Sequence, residues 1–153
     1  MVPIVTIDGP SGSGKGTISK ALALKLNWNY LDSGLLYRCF AFLHNENIEN
    51  ISESFPRIEH KYDSESESIL FDGNDITSAI RGKELTILSS KLSQKSEVRE
   101  QLVQIQKQYR KLPGLVAEGR DMSSKLFPDS KVKIFLTADL SERVNRRANQ
   151  LRN

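Results

Sequence analysis

The stretch GPSGSGKGTISK, residues 9–20, follows the β-branched run VPIVTID and precedes apolar residues at helical spacing. A strand, a glycine-rich turn and a helix in that order make a phosphate-cradling loop. Gly9, Gly12 and Gly14 omit side chains where the backbone must turn back and aim its N–H groups at an anion. The helix that starts near Lys15 adds its positive end, and the Lys15 ammonium can reach terminal phosphate oxygens. The common form of the motif puts serine or threonine directly after Gly-Lys. Here Gly16 takes that place and the hydroxyl comes one residue late, at Thr17. Direct ligation of magnesium by the loop is therefore not expected. Phosphate oxygens and waters would hold it, in keeping with its reluctance to shed water.

Outward from the loop, the chain alternates apolar runs with helical patterns. Ile18, Ala21, Leu22 and Leu26 mark the first helix, WNYLDSG a second strand ending in a turn, and LLYRCFAFLHN a second helix. The acidic stretch through YDSESES reads as a loop or small peripheral unit, and SILFDGNDITSAI as a hairpin with two apolar arms around residues 72–75. Leu85, Leu88 and Leu92 mark a further helix. Val98, Leu102, Ile105 and Tyr109 mark another, ended by Pro113-Gly114. LVAEGRD is a third strand running into a charged turn and KVKIFLTA a fourth. Asp139 can cap a last helix whose apolar side is Val144, Ala148 and Leu151. This alternation predicts an α/β fold, a parallel sheet flanked by helices. Ligands of such sheets gather at the carboxyl ends of the strands, which here carry DGPSGSGKGT, LDSGLLYR, EGRDM and TADLSER.

The 153 residues favour one domain with a real core, and the composition is that of a soluble globular protein, 38% hydrophobic and 27% charged. No apolar run is long enough for a membrane span, and the N-terminus has no basic leader. The single Cys39 excludes an internal disulfide and fits a reducing compartment, so a cytoplasmic protein is expected. The net charge of +3 is uneven: residues 46–75 hold nine acids against Arg57 and Lys61, and the rest of the chain is strongly basic. That basic body suits a site for several phosphates. Nucleic acid would need a basic stripe with interleaved aromatics, whereas these cations converge on phosphate loops, so no nucleic-acid partner is expected.

LDSGLLYR has what a second, smaller phosphate needs. Ser33 offers a hydroxyl, Tyr37 a phenol and Arg38 a two-pronged guanidinium, the last two about one helical turn beyond Gly34. Glu118 ends an apolar strand, as the acid of a Walker B motif does, and can orient magnesium-bound water. His44 and His60 have no ligand spacing around them and read as surface residues.

Gly-Lys-Gly-Thr is the order found in nucleoside monophosphate kinases. Taken together, IDGPSGSGKGT, YLDSGLLYR, LPGLVAEGRDM and FPDSKVKIFLTA resemble bacterial cytidylate kinase, in that family's order and from Ile4 to the final residue. The resemblance implies a P-loop kinase that uses ATP and Mg2+ to phosphorylate CMP or dCMP. It implies that Gly9, Pro10, Ser11, Gly12, Ser13, Gly14, Lys15, Gly16 and Thr17 bind the ATP phosphates. Ser33, Tyr37, Arg38 and Arg120 would surround the CMP phosphate, and Ser90, Arg99 and Asp121 would recognise cytosine, with Lys15 and Arg120 catalytic. Residues 1–153 would form the kinase core, with 46–80 as a small insert on the CMP side. At position 118 the family often has aspartate, one methylene shorter. The family also continues into an arginine-rich lid, an edge strand and a terminal helix that these residues do not include. A fragment of a longer protein and a natural truncation are both compatible with the sequence, and a monomer is expected. Two other readings stand beside the main one: a nucleotide-binding module without efficient turnover, and a kinase for another small acceptor.

Overall fold

The computed structural model describes residues 1–152; Asn153, the end of the expected 1–153 core, lies outside the described residues. The chain divides into two compact units, one made of Met1–Ser33 with the chain from Gln106 onward, the other Gly34–Ile105.

The first unit is built on a parallel sheet of four strands in the order β2-β6-β1-β7. Its strands are β1 (Ile4–Asp8), β2 (Asn29–Asp32), β6 (Leu115–Gly119) and β7 (Val132–Phe135). Every residue of β1 and β6 is buried, as continuous apolar runs covered on both faces should be. Register places Asp8 level with Gly119 and Phe135, and Asp32 level with Glu118, so the carboxyl ends of all four strands line up. All four β7 residues are exposed, Phe135 at 71%.

Helix α1 (Lys15–Leu26) starts at Lys15, as its spacing predicts, but it does not bury the expected face. Ser19 and Ala23 are its buried residues, while Ile18 and Leu26 are 48% and 39% exposed. Small side chains let the helix lie close to the sheet, which an isoleucine or leucine stripe would hold off. A second close approach lies behind it, where the Trp28 ring fills the space a side chain at Gly114 would need. Helix α7 (Leu140–Arg152) begins directly after Asp139, and its apolar side is exposed, Val144 at 57% and Leu151 at 52%.

In the second unit, α2 (Ser33–Asn45) begins directly at the end of β2 rather than after a turn, and buries Leu35, Leu36, Cys39, Phe40 and Leu43. After a short α3 (Ile51–Ser54) comes an antiparallel sheet of β3 (Ile58–Tyr62), β4 (Glu67–Phe71) and β5 (Asn74–Asp75). The acidic stretch is thus partly a strand: β3 pairs with β4 from Ile58↔Phe71 to Tyr62↔Glu67. Around that turn, the Asp63 carboxylate accepts from the N–H groups of Glu65 and Ser66, each at 2.7 Å. The expected hairpin forms at Asp72-Gly73, both at positive φ (50° and 79°), but its second arm stops at Asp75. Thr77 turns the chain instead: its hydroxyl accepts the Ile69 N–H at 2.9 Å, and α4 (Thr77–Arg81) follows.

Helices α5 (Lys83–Leu92) and α6 (Ser96–Lys107) bury Leu85 and Leu92, then Val98, Leu102 and Ile105. The second ends at Lys107, before the expected Pro113-Gly114 stop, leaving Tyr109 outside the helix. His44 is exposed, as read from the sequence. His60 is not a plain surface residue: its ring is 16% exposed, with Nε2 2.7 Å from a Glu67 carboxylate oxygen. Among the described residues, no helix is long and apolar enough to cross a membrane.

Candidate active site

The phosphate loop sits at the carboxyl end of β1, in the middle of the sheet. Its first glycine is committed to the sheet: the Gly9 N–H donates to the Gly119 carbonyl at 3.1 Å, and the Leu136 carbonyl fills the space a Gly9 Cβ would need. Gly12 and Gly14 hold φ of 75° and 87°, a conformation that favours glycine. A Cβ on Gly12 would also lie 2.7 Å from the Arg143 carbonyl oxygen, so α7 runs against the loop. From that helix the Arg146 guanidinium reaches the Gly12 carbonyl at 3.4 Å, while its Nε donates to Glu142 at 2.8 Å. Lys15 folds back over the loop, its ammonium 3.4 Å from the Pro10 carbonyl. The Ser13 hydroxyl is buried and has no hydrogen-bond partner among the described residues; Ser11 and Thr17 are exposed.

Gly16, where the common motif has a hydroxyl, faces a carboxylate. Glu118 stands at the end of the adjacent β6 and is 3% exposed. Its Oε1 would be 3.2 Å from a Cβ on Gly16, tighter than ordinary contact. The same oxygen accepts the Tyr30 phenol at 2.5 Å, from the far side of β6 on β2. A Cβ at position 16 would ask the Glu118 carboxylate to give by a few tenths of an ångström.

Asp8 is the second buried carboxylate, 4% exposed at the last position of β1. It accepts the N–H of Met122 at 2.7 Å and of Ser123 at 2.9 Å, two charge-assisted bonds that tie the chain after β6 to the start of the loop. That chain makes a single π-type turn, Met122–Leu126. Arg120 and Asp121 lie just ahead of it. Arg120 is exposed and, with Asp8 and Lys133, lines a cleft of about 280 Å³. Asp121 is 3.5 Å from the Lys125 ammonium. Ser33, at the end of β2, is buried.

The remaining candidates lie in the second unit. Tyr37 and Arg38 occupy the second turn of α2, and the Arg38 Nε is buried without a hydrogen-bond partner among the described residues. A guanidinium N–H left in that state is costly unless a ligand accepts from it. Ser90 and Arg99 are exposed, one near the end of α5 and the other in α6. Ser93 joins them: its hydroxyl donates to the Ser90 carbonyl at 2.8 Å, and its carbonyl accepts from Arg99 at 3.5 Å.

The sequence pattern of the cytidylate kinase family matches residues 5–153. The chain is 45% identical to a cytidylate kinase of Stutzerimonas stutzeri over 161 aligned positions, covering 99% of this chain and 70% of that protein. A cytidylate kinase of Aeromonas salmonicida is 42% identical, with 99% of this chain and 69% of that protein covered. A third, from a Shewanella strain, is 43% identical over 97% of this chain. The chain belongs to the cytidylate kinase family. It is therefore a kinase, and its parallel sheet with a glycine-rich loop is the P-loop kinase fold.

Family membership and local motif together left three residues unread. Asp8 and Tyr30 stand inside the quoted stretches IDGPSGSGKGT and YLDSGLLYR without a role of their own, and Ser93 stands in none. Asp8 alone carried a signal, a carboxylate at the end of a buried strand with no basic residue beside it in sequence.

Proposed function

We propose that the protein transfers the γ-phosphoryl group of ATP to CMP or dCMP, giving CDP or dCDP and ADP. The observation that carries this reading is the joining of two motifs in one frame. The loop Gly9 to Thr17 and the turn bearing Arg120 and Asp121 are bonded to each other through Asp8 and Gly9. A donor phosphate on the loop and an acceptor phosphate on Arg120 would then be held by neighbouring strands β1 and β6.

In this reading the backbone N–H groups of residues 9–17 bind the ATP phosphates, and Lys15 neutralises charge that develops as the phosphoryl group moves. Ser33, Tyr37, Arg38 and Arg120 take the CMP phosphate, the unpartnered Arg38 Nε being one donor. Cytosine presents an exocyclic amine, a ring nitrogen and a carbonyl. Asp121 suits the amine, while Arg99 and Ser90 suit the acceptors. Residues 46–80 form the insert on the CMP side. No general base is required, because the acceptor is already an anionic phosphate.

Magnesium bound with ATP would spread the phosphate charge during transfer. Among the described residues no group of three or more His, Cys, Asp or Glu could cage a metal. In this reading phosphate oxygens and waters hold the ion, and Glu118, which faces Gly16, takes one of those waters. The same reading takes the protein as a cytoplasmic monomer, and size-exclusion chromatography tests the oligomeric part.

The test is a coupled assay of ADP formation from ATP with CMP, dCMP, UMP and AMP in turn. CMP and dCMP should support turnover well above the other two. No ADP formation with CMP, or equal rates with AMP, would overturn the assignment.

A further inference from the structure

We infer that Tyr30 is a positioning residue: its phenol holds the Glu118 carboxylate across Gly16, where the carboxylate takes over the place of the loop hydroxyl that this chain lacks. The inference rests on the reading of residues 9–17 as the ATP site. Three observations carry it, all within the first unit. Tyr30 is 5% exposed, and its hydroxyl lies 2.5 Å from Glu118 Oε1. That same oxygen would sit 3.2 Å from a Cβ on Gly16. Strand register puts Tyr30 level with Val116, two positions behind Glu118 and on the same face of the sheet.

The geometry has a chemical reason. A glutamate has one more rotatable bond than an aspartate, so at a strand end its carboxylate sweeps a wider arc. A buried carboxylate needs donors, and a phenol is one that stays protonated through neutral pH. The donor here sits on the next strand, so the bond fixes the direction of the carboxylate as well as satisfying it. The phenol is thus one fixed point for the direction of the carboxylate, and its loss should leave Glu118 less ordered over the loop. A role limited to stability would not depend on magnesium, whereas a role in aiming the carboxylate would.

The experiment is calorimetry of ATP binding, once with Mg2+ and once with EDTA, on the wild type, Tyr30→Phe, Glu118→Gln and the double variant. Tyr30→Phe removes one oxygen and keeps the ring. It should weaken binding in Mg2+ by about tenfold, as loss of a hydrogen bond to a charged group does, and leave binding in EDTA unchanged. In the Glu118→Gln background it should add nothing. Should Tyr30→Phe fail to fold, Tyr30→Leu serves instead, because it too removes the phenol donor from a buried position; the same magnesium-specific loss is expected. Equal weakening with and without Mg2+, no weakening, or additive effects with Glu118→Gln would overturn the inference. A wild-type chain that binds no ATP in either condition would overturn the functional reading, and this inference with it.

Discussion

Motif logic and structure give opposite answers for Gly16→Ser. The substitution restores the common order of the phosphate loop, so by motif alone it should supply a magnesium ligand and raise activity. The structure puts Glu118 Oε1 3.2 Å from the new Cβ, and that oxygen is buried and bound to Tyr30. Serine in place of glycine inside α1 gains about 0.5 kcal/mol of helix propensity. The contact asks Oε1 to give by a few tenths of an ångström, and the most that this can cost is the charge-assisted hydrogen bond to the phenol, about 1.5–3 kcal/mol. The net is a loss of up to about 2.5 kcal/mol, or up to roughly 10 °C in melting temperature for a chain of this size. Turnover should fall as well, since the displaced carboxylate is the group placed over the loop. Thermal unfolding by circular dichroism and the CMP-dependent assay measure both. Gly16→Ala should destabilise similarly, because the Cβ and not the hydroxyl makes the contact. In a Glu118→Ala background the penalty at position 16 should vanish. A Gly16→Ser protein that melts no lower and turns over no slower than wild type would refute the reasoning.

Lys15→Ala should cut kcat by about 10²–10³-fold, the cost of one transition-state donor, with little change in melting temperature because Lys15 contributes one long contact to Pro10. Asp121→Ala should raise KM for CMP about tenfold and narrow the preference for CMP over UMP while sparing KM for ATP; equal effects on both substrates would move Asp121 out of the acceptor site. Acid should loosen the small sheet. Hydrogen bonds from Glu65 and Ser66 hold the Asp63 carboxylate below its ordinary 3.8, those of Thr77 do the same for Asp75, and Arg57 for Asp72. Groups depressed on folding stabilise above the ordinary carboxylate range, and that contribution is lost as pH falls through their lowered values. Melting curves taken downward from about pH 5 should show this loss, and Asp63→Asn with Asp75→Asn should flatten it.

The sheet of the first unit was legible because its central strands are buried on both faces, and such strands are written as unbroken apolar runs. VPIVTID and LVAEGRD could be little else. Strand β3 was not legible for the converse reason: IEHKY alternates between half-buried and exposed positions, and pairing with β4 holds it in place rather than a hydrophobic face. The face of α1 was misread because its contact with the sheet is made by Ser19 and Ala23, which carry no hydrophobic signal. Local chemistry decided the false second arm of the hairpin. ITSAI has strand-like residues, yet the Thr77 hydroxyl caps Ile69 and the chain turns into a helix. The site follows the same division. Loop, lysine and guanidinium residues announce themselves by type and spacing. The Tyr30–Glu118 and Asp8–Met122 bonds join residues 88 and 114 positions apart, and no local pattern carries them.

Those two long-range bonds bear on how such a site can work. With an anionic acceptor there is little proton chemistry to perform, so rate depends on holding two phosphates at a fixed separation. The part of the frame that sets this separation should then be the least yielding. Arg120 and Asp121 are bracketed on both sides by bonds to two consecutive residues, the last of β1 and the first of the loop: Gly119 accepts from Gly9, and Met122 donates to Asp8. A two-residue span anchored at each end has little freedom to drift from the loop that begins at Gly9. The anchor is also inexpensive in side chains, because one buried carboxylate receives two backbone N–H groups. A lysine or arginine tied up by Asp8 would be a cation drawn away from the phosphates. Backbone donors fix the same geometry without one.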